Sequence, residues 1–367
     1  MRGRATCHCC RSSFSFYPRW LYGSVTRNAK AKHRTAFVQE ATGRGPRASG
    51  CDLFRANVFS RMARIKVPLQ VAGREMQVSN LDQVLFPKSG FKKADVINYY
   101  IKVSKLILPH LRNRPLTLKL YYHGVEAPAD YEKDAPSYTP KWVKRAPIWR
   151  KTGESQIHFV LVNDLPTLVW AANLANIEMH PFLARWPKID RPDFMVFDLD
   201  PGEPAGALEA AQVAVWLAEL LSAMKLKSFV KSAGSKGLHV YVPFNTPVSY
   251  QQTQSLAKAM AELLTRRHPE IVVSEMAKKA RAGKVFVDWS QNAEHKSTVA
   301  VYSLRAKGEE PFVSMPISWP TLKRALSSRD PARFCITPDE ALKRVSREGD
   351  IFAPTLHLRQ KIPAKLL

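Results

Sequence analysis

The string Phe194-Met195-Val196-Phe197-Asp198-Leu199-Asp200-Pro201 constrains the fold more than any other part of the chain. An apolar run of this length, closed by a proline, reads as a buried strand. Two carboxylates two residues apart at its exit share one face, because side chains alternate along a strand, and their Cα atoms lie roughly 7 Å apart. Such a pair admits two readings. Asp200-Pro201-Gly202 can be a plain turn with Asp198 capping nearby backbone. Alternatively the two carboxylates hold divalent cations, and two such ions about 4 Å apart suit in-line phosphoryl displacement. Asp288 tips the balance: it ends a second apolar strand, Lys284-Val285-Phe286-Val287-Asp288, and acids from two strand ends can converge on one ion site. Asp198, Asp200 and Asp288 are therefore expected to be catalytic metal ligands.

Between the two strands lies Lys231-Ser232-Ala233-Gly234-Ser235-Lys236-Gly237-Leu238-His239. The amides and hydroxyls of this small-residue loop, Ser235 and Gly237 among them, can cradle a triphosphate; Lys236 can neutralise it and His239 can donate to a phosphate oxygen. A hairpin turn with a structural histidine is the plainer alternative. Arg281, Lys284 and Arg305 bracket the third acid. A guanidinium at Arg305 can grip a phosphate through two bonds, whereas a solvated basic face is the bland reading of the three. Lys88, Lys92 and Lys93 form a further basic run, either a solvated helix start or a phosphate pocket.

The remaining text predicts a mixture of helices and strands without strict βαβ order, hence an α+β fold. Alternating Ile65, Val67, Leu69 and Val71 before Gly73 predict a strand and turn. Helices are expected over 94–108, with Pro109 as a stop, and over 165–177, 207–221, 250–267, 321–326 and 339–345. Strands are expected over 116–122, 157–162, 194–199, 229–231, 238–243, 285–288 and 298–302.

The chain has 367 residues, 45% of them hydrophobic, enough for one large core or two modest lobes. Its 56 Lys plus Arg against 31 Asp plus Glu leave +25, a balance suited to a polyanionic partner such as nucleic acid or an anionic membrane surface, between which charge alone does not choose. No apolar run reaches the roughly 20 residues that span a bilayer, so no membrane association is expected. Of the five cysteines, Cys7, Cys9, Cys10 and Cys51 lie in the first 51 residues and Cys335 far beyond, so the body has no internal disulfide framework and reads as cytoplasmic. Residues 1–61 carry 12 Lys or Arg and only Glu40 and Asp52 as acids, net +10. This basic stretch without periodicity is an organelle-targeting peptide, a disordered nucleic-acid-binding arm, or upstream codons ahead of a true start at Met62, the reading we favour. The Cys7, Cys9, Cys10 cluster lacks the paired spacing of a zinc site.

Taken together, Val196-Phe197-Asp198-Leu199-Asp200-Pro201-Gly202, Ser235-Lys236-Gly237-Leu238-His239, Val285-Phe286-Val287-Asp288-Trp289-Ser290-Gln291-Asn292 and Tyr302-Ser303-Leu304-Arg305 closely resemble the polymerase domain of bacterial ligase D, of the archaeo-eukaryotic primase superfamily. The likeness runs from about Val67 to the end and includes Ser79-Asn80-Leu81-Asp82, Tyr131-Glu132-Lys133-Asp134-Ala135-Pro136 and Arg191-Pro192-Asp193-Phe194. It implies one domain over 62–367 with a primase-like α+β fold: an RNA-recognition-like mixed or antiparallel sheet flanked by helices. It further implies nucleotide transfer with two Mn2+ or Mg2+ ions, ribonucleotide preference, and gap filling during double-strand break repair by non-homologous end joining.

Carried over residue by residue, the resemblance makes Asp198, Asp200 and Asp288 metal ligands and turns Lys236, His239 and Arg305 toward the incoming nucleotide, an NTP or dNTP. His180, after Ile177-Glu178-Met179, matches a family histidine near the nucleotide. Lys93 matches a lysine that grips the downstream 5′-phosphate, with Asn80 beside it, and Tyr131 offers an aromatic face to a template base. Lys133 and Arg281 are assigned to DNA. Gln83, where many relatives have a second phosphate-binding lysine, implies weaker 5′-phosphate recognition; Ala233 removes a hydroxyl from the phosphate loop, and Asp130 replaces a second aromatic residue. The chain ends soon after Leu356, so a monomeric, stand-alone polymerase is expected, associated with the nucleoid, recruited to broken DNA by Ku and passing nicks to a separate DNA ligase. Two other classes compete: a non-catalytic DNA-end-binding module, and an aspartate-nucleophile phosphatase. The latter wants its Asp-x-Asp early in a parallel α/β chain, without a proline directly after it.

Overall fold

The computed structural model describes residues 66–150 and 152–364. The expectations placed on residues 1–61, on the start at Met62 and on Ile65 lie outside the described residues.

A six-stranded sheet carries the acids. Its order is Val272–Val273, Val285–Asp288, Phe194–Pro201, Leu238–Pro243, Phe229–Ser232 and Pro316–Ile317. All neighbours are antiparallel except the first pair. The period-two alternation sorts its central strand onto two cores. Met195, Phe197 and Leu199 join Leu238, Val240, Val242, Val285 and Val287 in a core roofed by helices α3 (Ala207–Ala223) and α4 (Tyr250–Arg267). Phe194 and Val196 face the opposite way, into a second core with Tyr241. Asp198 and Asp200 continue that second face, so the same parity that buries Phe194 and Val196 presents the acids beyond them.

The second core is built on helices α1 (Lys93–Leu111) and α2 (Leu165–Asn173) and on a five-stranded sheet. In that sheet Pro115–Leu120 pairs Asp130–Glu132, Gln156–Leu161 and His180–Pro181, with Arg145–Trp149 at the far edge. The first expected strand forms one arm of a hairpin, Lys66–Val71 against Arg74–Ser79. Ala72 and Gly73, with φ of 48° and 79°, supply the left-handed backbone that a two-residue hairpin turn demands.

Three local expectations need correction. Pro109 does not stop α1, which runs on to Leu111 because His110 and Leu111 are buried and packing holds the last turn despite the lost amide. Helix α2 ends at Asn173, not at Ile177, because Ala175 turns left-handed (φ 60°) and the buried Asn176 side chain takes the Lys119 amide at 2.6 Å. Residues 298–302 are buried and apolar but form no strand. Their amides go to three separate partners, Thr298 to Pro181 O, Ala300 to Met179 O and Tyr302 to Ser314 O, and Tyr302 has φ 64°. Among the described residues no helix is long and apolar enough to cross a membrane.

Candidate functional site

Strand register lines up four polar side chains in one row. Asp198 stands opposite Asp288 on one side and His239 on the other, and His239 stands opposite Lys231. Such cross-strand partners are about 4.5–5.5 Å apart at Cα, so the row is fixed by backbone pairing alone. Within it, His239 Nε2 lies 3.3 Å from Asp198 Oδ1 and Lys231 Nζ lies 3.2 Å from His239 Nδ1. Lys231 is fully buried and also donates to Ser314 Oγ at 2.6 Å.

Charge in the row is set by burial and neighbours. Burial pushes the Lys231 amine well below its ordinary range, with Arg305 adding to the effect. Burial, then Lys231, brings His239 down to about 4. Burial pushes Asp198 the other way, but His239, Lys307 and Lys231 more than offset it and bring the carboxyl to about 2. At neutral pH this is an ionised carboxylate accepting from a neutral imidazole.

Asp200, one pleat further out, is raised by burial and by the charges of Asp198 and Asp288. The charge that Asp198 and Asp288 press on Asp200 is one that a divalent cation among these hard oxygen donors would relieve, and the donor chemistry fits such an ion. Their side chains differ in readiness. Asp198 and Asp200 line the central cavity. Asp288 Oδ1 accepts from the Ser290 amide at 2.9 Å and hydroxyl at 2.6 Å, and Oδ2 from Gln291 at 3.0 Å. Among the described residues no three acid, histidine or cysteine side chains stand in a closed ligand cluster.

The cavity has a volume of about 220 Å³. Its lining includes Asp198, Asp200 and His239 of the sheet, Ala233, Ser235 and Gly237 of the small-residue loop, and His180, Arg305, Lys119 and Tyr131. Two glycines shape the loop. A Cβ on Gly237 would lie 2.7 Å from the Leu199 carbonyl oxygen, between the two acids in sequence. One on Gly234, whose φ is 71°, would lie 2.2 Å from Arg305 Cγ. The loop therefore lies against both the aspartate strand and the arginine.

Of the expected nucleotide contacts, His180, Ser235, Gly237, His239 and Arg305 meet at this cavity. Lys236 does not. Its amine pairs with Glu203 on the exposed side of the loop, where a carboxylate satisfies it. Among the expected DNA contacts, Tyr131 is 66% exposed at the cavity mouth and Lys133 is exposed nearby. The Arg281 guanidinium lies 3.7 Å from the Phe286 ring centroid and donates to Met276 O at 2.6 Å. Asn80 is exposed in a left-handed turn, with Gln83 N bonding its carbonyl and Lys93 N bonding Gln83 O, so the turn abuts the start of α1. The solvated-helix-start reading does not hold for Lys93, whose side chain is buried, whereas Lys88 and Lys92 face outward beside Glu309 and Asp82.

Sequence reasoning missed Glu178, Lys119 and Lys307, all at the cavity. Glu178 and Lys119 carried a signal, a lone charge inside an apolar stretch: Ile177-Glu178-Met179 and Leu118-Lys119-Leu120. Lys307 carried none.

Fold and site together define a class: an α+β domain in which acids at the end of a central antiparallel strand share a small basic cavity with a glycine-containing loop. The family model for the LigD primase-polymerase domain matches residues 92–352, and the chain belongs to that family. The multifunctional non-homologous end joining DNA repair protein LigD of Mycobacterium tuberculosis H37Rv is 37% identical over 288 residues, covering 76% of this chain. The bifunctional non-homologous end joining protein LigD of Bacillus subtilis is 32% identical over 277 residues, covering 75%. The chain spans 36% of the length of the first relative and 43% of the second. Among solved structures, the polymerase domain from Mycobacterium tuberculosis ligase D in complex with DNA superposes with a TM-score of 0.71 at 36% identity, covering 78% of this chain and 99% of that one. The primase-type α+β fold expected from the motifs is the fold of this chain.

Proposed function

We propose that the chain is a template-directed nucleotidyltransferase that fills gaps and extends ends during double-strand break repair by non-homologous end joining. The observation that carries this reading is the register row: Asp198 and Asp288 are paired across neighbouring strands, Asp200 follows on the same face, and the pair Asp198 and Asp200 opens on the cavity that Arg305, His180 and the Ser235 loop also line.

Asp198, Asp200 and Asp288 would hold two Mn2+ or Mg2+ ions, which when bound supply activation of the attacking 3′ oxygen and charge stabilisation on the leaving pyrophosphate. The protein's own groups bind and orient. Arg305 meets the polyphosphate as a fixed cation. Ser235 and the Gly237 amide line its loop-side wall, and the neutral His239 holds Asp198 in place. His180 closes the nucleotide end of the cavity, and exposed Tyr131 stacks a template base. Arg281 and Lys133 contact the DNA backbone. The Asn80 turn with Lys93 beneath it receives the downstream 5′-phosphate. The end-joining setting is supported by the non-homologous end joining proteins to which the chain is similar; Ku as recruiting partner, a separate DNA ligase and a monomeric, cytoplasmic, nucleoid-associated existence belong to the proposal.

The test is nucleotide addition to a gapped, 5′-phosphorylated duplex with Mn2+. Template-matched extension abolished by chelator is expected, with ribonucleotides preferred over deoxynucleotides. No addition of either sugar type would overturn the proposal.

A further inference from the structure

Two oxygens beneath the cavity collect five donors. Glu178 is fully buried. Its Oε2 lies 2.7 Å from His180 Nε2 and 2.9 Å from Arg305 Nη1. Its Oε1 accepts from Lys119 Nζ at 3.2 Å, the Tyr121 hydroxyl at 3.0 Å and the Ala306 amide at 3.1 Å. A lone buried carboxylate is costly, and one this fully paired persists because its partners need it as much as it needs them.

The donors come from separate places. Lys119 and Tyr121 belong to one strand of the five-stranded sheet and its exit, His180 to another strand of that sheet, Arg305 and Ala306 to the segment after Tyr302. Three of them, Lys119, His180 and Arg305, line the cavity. Burial alone would push the Glu178 carboxyl up, yet His180, Arg305 and Lys119 pull it well below the usual range, so it stays ionised. Arg305 is held on its other side by the loop, where only a glycine at 234 leaves room for its stem. Its Nε is buried without a hydrogen-bond partner.

We propose that Glu178 is a positioning residue for nucleotide binding: one buried carboxylate fixes Arg305, His180 and Lys119 in the arrangement in which they meet the incoming nucleotide's phosphates and sugar. This rests on the polymerase reading and deepens it. Glu178 touches no reacting atom. It spares the three side chains the ordering that nucleotide binding would otherwise impose.

The test compares wild type, Glu178→Gln and Glu178→Asp, each as the full chain, in gap-filling kinetics, equilibrium binding of a fluorescent nucleoside triphosphate, duplex binding and thermal melting. Glu178→Gln is expected to raise KM and Kd for the nucleotide at least about tenfold, to change kcat by less than about threefold, and to leave duplex affinity unaltered. Glu178→Asp, with the charge restored one methylene short, is expected to recover part of that loss. A folded Glu178→Gln with unchanged KM overturns the proposal while the polymerase reading stands, and tighter nucleotide binding overturns it too, because the carboxylate would then compete for Arg305. If Glu178→Gln does not fold, Glu178→Asp decides: KM within twofold of wild type overturns the proposal. A wild type that binds no nucleotide overturns it together with the polymerase reading.

Discussion

Gly234 and Gly237 show how much of this site is decided by single atoms. Both belong to a stretch recognisable from sequence as a small-residue loop, but the reasons for their smallness, the Arg305 stem and the Leu199 carbonyl, lie 71 and 38 positions away and cannot be read locally. Gly234→Ala faces a left-handed backbone and a clash at 2.2 Å with Arg305 Cγ. We expect a loss of roughly 1–3 kcal/mol in stability and nucleotide KM raised about tenfold, measured by chemical denaturation and gap-filling kinetics. An alanine variant with wild-type KM would show that the position of Arg305 does not matter to nucleotide binding. Lys236 could not be placed from its string for a similar reason: its exposed amine is paired with Glu203, 33 residues earlier, outside the cavity.

At the scale of elements, alternation was the legible signal. It marked Val285–Asp288 and Leu238–Pro243 with the bounds the structure has, and it put both acids on one face of Phe194–Pro201, while the helical period marked Tyr250–Arg267. It failed at 298–302, where buried β-branched residues serve a core without pairing, and no local pattern separates that from a strand. The tie between the two cores was equally hidden. Arg114 is 2% exposed, donates to Leu183 O at 2.6 Å, pairs with Asp193 at 2.5 Å and lies 4.5 Å from the Phe194 ring centroid. It therefore anchors the start of the aspartate strand to the five-stranded sheet, whose strand Pro115–Leu120 it directly precedes. Arg114→Ala removes a buried cation and leaves Asp193 only Arg185, 3.4 Å away, and should cost about 3 kcal/mol, read as a drop in the denaturation midpoint; a change below about 1 kcal/mol would deny it that role.

Over the whole molecule, α1 and the chain's last segment are joined at Asp350, which pairs with His110 at 2.8 Å and accepts from the Tyr302 hydroxyl at 2.6 Å. Burial pushes this carboxyl up, but His110 and Tyr302 outweigh it and hold it below its ordinary range. A depressed folded-state value stabilises the protein above the unfolded carboxyl's value, about 3.9, and the contribution is lost as pH falls through the folded value. Melting temperature should therefore fall below about pH 4, and Asp350→Asn should flatten that limb while lowering the plateau; an unchanged acid limb would remove Asp350 as its source. The net charge of +25, +10 of it in residues 1–61, fits a polyanionic partner, but only the row of acids gives that partner a chemistry. The most direct measurement sets wild type against Asp198→Ala plus Asp200→Ala on a gapped, 5′-phosphorylated duplex with Mn2+, scoring both nucleotide addition and duplex binding. Addition lost with duplex affinity within about threefold is the predicted result, since the acids hold metal while Lys and Arg hold phosphate. Equal addition by both proteins would contradict the assignment of these aspartates as the metal site.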